Sequence, residues 1–171
     1  MSVGPAFEAA MFKQVAAVVD DLDAAVRRWH EELGIGPWTA YRYDESILRE
    51  TYYMGEARAF SLRHALAWQG EMQFELVQPL TGPSIFRDFQ KQGSGTLHHI
   101  GKYVDDHAAA VEEVLSRGFI ALQSARGFGA EGDGAFAYFQ PPGIDVVIEL
   151  ISAPRTRRAP EFVYPPSPVG E

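Results

Sequence analysis

Four side chains of this sequence could together hold a divalent cation: Gln14, Glu75, His99 and Glu149. They lie far apart in the chain, and spacing alone makes no site of them. An internal repeat joins them. Displacing the sequence by 85 positions (99 minus 14) lays Gln14–Asp21 on His99–Asp106 and makes identical pairs of Val19/Val104, Asp20/Asp105, Asp21/Asp106, Ala24/Ala109, Ala25/Ala110 and Val26/Val111. A second displacement of 74 (149 minus 75) lays Phe74-Glu75-Leu76-Val77 on Ile148-Glu149-Leu150-Ile151. Each glutamate sits inside an apolar β-run, where alternation turns it to the face opposite its neighbours. A lone carboxylate there is costly unless its burial is compensated, and two at equivalent places of a repeat suggest one shared compensator. If a pseudo-two-fold relates the copies, one amide oxygen, one imidazole and two carboxylates converge. Nitrogen and oxygen donors without sulfur suit Zn, Mn, Fe, Co, Ni or Mg, with positions left open for water or substrate.

The elements that must carry these residues follow from patterning. Residues 1–10 read as a loose leader. Phe12–Val19 has the β-branched, apolar character of a buried strand, stopped by Asp20-Asp21. Asp21 is a candidate N-cap for a helix with Leu22, Ala25, Val26, Trp29 and Leu33 on one stripe, ended by Gly34, Gly36 and Pro37. Trp38–Tyr43, Ile47–Met54 and Ala57–Trp68 read as strands, and Met72–Val77 closes the first unit. A short helix after Pro83, with Ser84 at its start, joins the copies. The second copy runs as a strand over 96–104, a helix from about His107 to Arg117, and strands at Phe119–Gln123, Ala135–Phe139 and Asp145–Ile151. Gly127–Gly134 reads as a loop. By alternation His98 faces away from His99. Strand-helix-then-strands with short connections is an α+β pattern, not a doubly wound one. The organisation expected is a first βαβββ module at 11–80, a connecting helix at 81–95, a second module at 96–153 and a Pro/Arg-rich tail at 154–171.

Composition excludes several partners. With 171 residues and 46% hydrophobic content the chain can bury a real core. A net charge of −8, with 15 scattered Lys and Arg, argues against nucleic acid, which wants a clustered basic surface. Arg155-Thr156-Arg157-Arg158, the one dense basic spot, reads as a solvated linker. No run approaches a membrane span, so no membrane partner is expected. The absence of cysteine leaves no disulfide framework or thiol chemistry and fits a cytoplasmic setting.

The span from about Phe12 to Ile151 resembles the vicinal oxygen chelate superfamily, which holds glyoxalase I, methylmalonyl-CoA epimerase, extradiol dioxygenases and bleomycin- or fosfomycin-resistance proteins. The match is carried by Val18-Val19-Asp20-Asp21-Leu22-Asp23-Ala24-Ala25-Val26, Phe74-Glu75-Leu76-Val77-Gln78-Pro79-Leu80, Leu97-His98-His99-Ile100 and Val147-Ile148-Glu149-Leu150. Gly36-Pro37-Trp38 is most similar to epimerase-like members. The resemblance implies tandem βαβββ modules forming a cupped mixed sheet around a metal site, with ligands at Gln14, Glu75, His99 and Glu149, and a homodimer. Epimerases usually have histidine at the first position; some zinc glyoxalases resemble this chain in having glutamine there. The arginines those glyoxalases use for glutathione fall on Val18 and Gly95. The ligand set supports proton abstraction next to a carbonyl, with a metal-stabilised enolate or enediolate of a small carbonyl or acyl substrate. Glu149 is the first choice of base, Glu75 its partner, and Glu50 a second base if it points into the cup. A glyoxalase I-type lyase and a non-catalytic small-molecule binder of the same fold are the alternatives.

Overall fold

The computed structural model describes residues 6–92 and 97–166. Its framework is one sheet of eleven strands in the order β11-β2-β5-β6-β1-β7-β10-β9-β8-β3-β4. The first module supplies β1 (Phe12–Val18), α2 (Leu22–Leu33), β2 (Trp38–Tyr43), the hairpin β3 (Arg49–Tyr53) and β4 (Glu56–Ala57), β5 (Ser61–Gln69) and β6 (Met72–Thr81). α3 (Ile85–Lys91) links it to β7 (Leu97–Tyr103), α4 (His107–Ser116), β8 (Ile120–Arg126), β9 (Ala135–Gln140) and β10 (Val147–Ser152). The expected start of β7 at Thr96, and the breaking glycines Gly93 and Gly95, lie outside the described residues.

The duplication is written into the hydrogen-bond register. β1 and β7 pair antiparallel at the centre, with Gln14 opposite Gly101 and His99 opposite Ala16. Adding 85 (99 minus 14) to the β1 member of each pair, Gln14 or Ala16, gives the β7 member of the other, as a two-fold requires. On the flanks, Ala16 faces Glu75 across the parallel β1–β6 pair and Gly101 faces Glu149 across β7–β10, so both offsets hold in one register. Both helices start alike: the Asp21 carboxylate accepts from the Ala24 amide at 3.0 Å and that of Asp106 from Ala109 at 2.9 Å. Gly34 ends α2 in the left-handed conformation, φ 68°, which costs a residue without a Cβ little.

Two additions break the symmetry. β3 and β4 have no counterpart in the second module, which accounts for the shorter second offset, and β3 pairs with β8 at the far edge. At the opposite edge the tail adds β11 (Phe162–Tyr164) to β2. The tail is therefore part of the sheet. The leader is also structured: α1 (Ala6–Ala9) buries Phe7 against α4, the Phe7 amide donates to Glu113 at 2.8 Å, and the Lys102 ammonium lies 4.1 Å from the Phe7 ring centre. An isolated four-residue helix has no stability of its own, so this one depends on that packing. The Gly127–Gly134 loop is tied to the tail by a Gly129–Arg157 bridge and by Ala130 N–H donating to Thr156 at 2.9 Å.

Three apolar clusters result. α2 covers one group of strands with Leu22, Val26, Trp38 and Leu76, and α4 covers another with Val114, Phe139 and Leu150. The third fills the concave face with Tyr43, Phe60, Phe86, Phe128, Phe136 and Tyr138, and the polar cluster described next opens onto it. No helix among the described residues is long and apolar enough to cross a membrane.

Candidate functional site

β1, β6, β7 and β10 are adjacent central strands, and their concave-face residues meet. Glu75, His99 and Glu149, all buried, present one donor atom each within 4.8 Å of one another. His99 Nε2 lies 3.1 Å from Glu75 Oε2 and 3.2 Å from Glu149 Oε2. One N–H cannot satisfy both: it donates to Glu75, and Glu149 Oε2 is left buried without a hydrogen bond. Gln14, 3% exposed, lines the same cavity as Glu75 and Glu149. Its Nε2 donates to Gln73 Oε1 at 3.0 Å, which fixes the amide and leaves Gln14 Oε1 as a second buried oxygen without a partner. The place is kept open by Gly101, where a Cβ would stand 2.5 Å from Gln14 Oε1.

The donor chemistry fits a divalent cation. Two anionic carboxylates, one imidazole nitrogen and one amide oxygen gather at one spot, and two of these oxygens lack the hydrogen bond that buried acceptors nearly always have.

Two histidines complete the surroundings. The sequence reading overlooked His64. It lies on β5, is 7% exposed, and its Nδ1 donates to Glu75 Oε1 at 2.7 Å. Its signal was a histidine between Leu62 and Leu66 on an apolar strand face, but the repeat hides it, since the position matching His64 in the β5–β6 register is Phe136 in β9–β10. His98 does not face away from His99; the two Nδ1 atoms are 2.9 Å apart. The reason is a β-bulge: Ala16 pairs with His99 and the next residue, Ala17, with Leu97, so His98 is the extra residue and alternation fails there. With His98 accepting, the His99 Nδ1 carries a proton and Nε2 faces the carboxylates, the orienting arrangement usual for metal-bound imidazoles.

The two glutamates differ in kind. Burial opposes ionisation of Glu75, yet hydrogen bonds from His64 and His99 outweigh it and hold its pKa down to about 2. Glu149 is pushed up, by burial first and then by the Glu75 charge, against the pull of His99 and Tyr138. His99 itself is disfavoured as a cation by burial but raised to about 9 by Glu149 and Glu75, while burial and His99 lower His98 to about 3. Burial, then the two glutamates, raises the Tyr138 hydroxyl well above its usual value, so it keeps its proton beside Glu149.

Glu50 is not brought to this cluster. It is exposed, pairs with Arg126 at 3.3 Å, and lines outer grooves beside His107 and not the cavity shared by Gln14, Glu75 and Glu149. Its backbone sits at φ 48° where β3–β8 pairing is irregular between Arg49 and Tyr52, so strand alternation does not set its direction.

Residues 13–139 match the family profile described as the Glyoxalase/Bleomycin resistance protein/Dioxygenase superfamily. The chain belongs to this superfamily. Its fold is shared with a hypothetical protein from Bacillus halodurans C-125, at TM-score 0.63 and 18% identity over 88% of this chain and 99% of that one. Methylmalonyl-CoA epimerase from Mycobacterium tuberculosis superposes at TM-score 0.58 and 22% identity, covering 90% and 94% of the two chains. The Streptomyces coelicolor epimerase, in complex with 2-nitronate-propionyl-CoA, gives 0.61 and 17% over 83% and 96%. No curated protein sequence matches significantly.

Proposed function

We propose that this chain is a metal-dependent isomerase of the epimerase type, moving a proton at the carbon next to a carbonyl of a small acyl substrate. The observation that carries this reading is the unequal pair of glutamates about one imidazole: Glu75 is held ionised by two histidines, while Glu149 has a raised pKa and an unpartnered oxygen. Carboxylates pushed apart in this way divide anchoring from proton transfer. Gln14, Glu75, His99 and Glu149 would hold a divalent ion, which when bound would supply Lewis-acid polarisation of a carbonyl oxygen.

The chain's own groups do the rest. Glu149, the carboxylate whose pKa is pushed up by burial and by the Glu75 charge, accepts the α-proton. Across His99, Glu75 Oε1 accepts from His64 Nδ1 at 2.7 Å, so on that side of the cavity the His64–Glu75 pair carries a proton that can be returned to the substrate. Tyr43, Phe128, Phe136 and Tyr138 line the cavity with apolar surface and keep water from a carbanionic centre. Solved neighbours that carry methylmalonyl-CoA or 2-nitronate-propionyl-CoA support an acyl thioester as substrate.

The test is deuterium incorporation. Metal-loaded protein in deuterated water should label the α-carbon of α-chiral acyl thioesters, and Glu149→Gln should abolish labelling while keeping the fold. Lactoylglutathione formation from methylglyoxal and glutathione would favour the glyoxalase reaction instead, and ligand binding without any labelling would favour a binding protein.

A further inference from the structure

The mouth of the cavity carries a charge that the proton-transfer machinery does not use. Of the three tail arginines, Arg155 is spent on exposed ion pairs with Glu131 at 2.9 Å and Asp133 at 3.5 Å. Arg157 turns inward. It is half-buried, lines the same cavity as Gln14, Glu75 and Glu149, and sets its guanidinium 5.6 Å from the Tyr41 ring centre beside the Tyr43 hydroxyl. Among the described residues it has no carboxylate within ion-pair distance. Its backbone is held on both sides: by the bridge to Gly129, by Ala130 N–H donating to Thr156, and by Glu161 N–H donating to Ala40 at 2.7 Å ahead of the β11–β2 pairing. A solvated linker, the reading from composition, would show none of these ties.

Charge counting gives the consequence. When a divalent ion occupies the site, the Glu75 and Glu149 carboxylates neutralise it, and Arg157 remains as an uncompensated cation in a largely apolar cavity. A guanidinium so placed is matched by a planar two-oxygen anion. We infer that Arg157 is a specificity-determining anchor for a carboxylate borne by the substrate, so that the preferred ligands are acyl compounds with a carboxylate next to the reacting carbon. This rests on the proton-transfer reading for the position of the reacting carbon, and it assigns the tail strap a role in substrate choice.

The test compares two thioesters on the full-length, metal-loaded protein: methylmalonyl-CoA, and isobutyryl-CoA, in which a methyl group replaces the carboxylate. Calorimetry reads binding and mass spectrometry in deuterated water reads α-proton exchange. The wild type should bind the carboxylate compound at least about tenfold more tightly, the effect of one charge-assisted contact. Arg157→Gln should erase that preference and leave isobutyryl-CoA binding unchanged, a split that loss of structure would not produce, and Arg157→Lys should restore part of it. Should these variants fold poorly, the wild-type preference must still shrink as salt is raised. Equal binding of both thioesters, or binding of neither, overturns the inference. Exchange without preference overturns the inference alone, whereas preference lost in Arg157→Gln without any exchange supports the anchor and overturns the proposed reaction.

Discussion

Gly101→Ala is the sharpest perturbation of the site, because it adds one methyl group and removes no functional atom. The new Cβ would stand 2.5 Å from Gln14 Oε1, 3.0 Å from Gln14 Cβ and 3.1 Å from Ile151 Cδ1. Carbon and oxygen do not approach so closely, so the amide must swing away, and its bond to Gln73 at 3.0 Å goes with it. The cost to the fold is that of mild overpacking, about 1–3 kcal/mol. The cost to the ion is the loss of one ligand while Glu75, His99 and Glu149 stay in place, and affinity should fall by roughly 10–100-fold. Titration calorimetry with Zn2+ and Mn2+ on chelator-stripped protein measures this directly. A double-mutant cycle closes the argument: Gln14→Ala should weaken binding similarly, and Gly101→Ala in that background should cost no further affinity. Wild-type affinity in the Gly101→Ala protein, or additive losses in the double variant, would refute the role given to Gln14.

Other outcomes follow from the same geometry. His64→Leu removes the donor to Glu75 Oε1 and leaves part of a buried charge unpaired, so the ion-free protein should lose about 3 kcal/mol in urea unfolding, and less once an ion is bound. Ion affinity should rise about tenfold per pH unit and level off near the His99 pKa of about 9, because the ion displaces the His99 proton; calorimetry across pH checks the slope. In ion-free protein, the stability from His99, raised from 6.5, is complete below that pH and is lost as pH rises through about 9. That from Glu75, lowered from 4.5, is present above 4.5 and is lost as pH falls through about 2. Phe7→Ala should cost about 3 kcal/mol by emptying the α1–α4 contact, with ion affinity unchanged.

How much of this was legible in the sequence depends on the repeat. Wherever a residue has a counterpart, as with Gln14 and His99 or Glu75 and Glu149, the offsets gave strand, register and face together, and the structure gathers these four on the concave side. Legibility fails where the modules differ. His64 has no polar counterpart, so nothing flagged it. Glu50 lies in the β3–β4 insertion, whose partner strand belongs to the other module and whose irregular pairing defeats alternation. His98 is re-aimed by a bulge that composition does not announce. α1 and β11 are short segments whose order comes from tertiary contacts, so local propensity could not foretell them.

The central claim is that the chain holds one divalent ion on these four side chains. Elemental analysis of protein loaded with Zn2+, Mn2+ or Co2+ and then desalted should find about one ion per chain, and Glu75→Gln together with His99→Ala should reduce it to background with the fold intact. A folded wild-type protein that retains none of these ions would contradict the account.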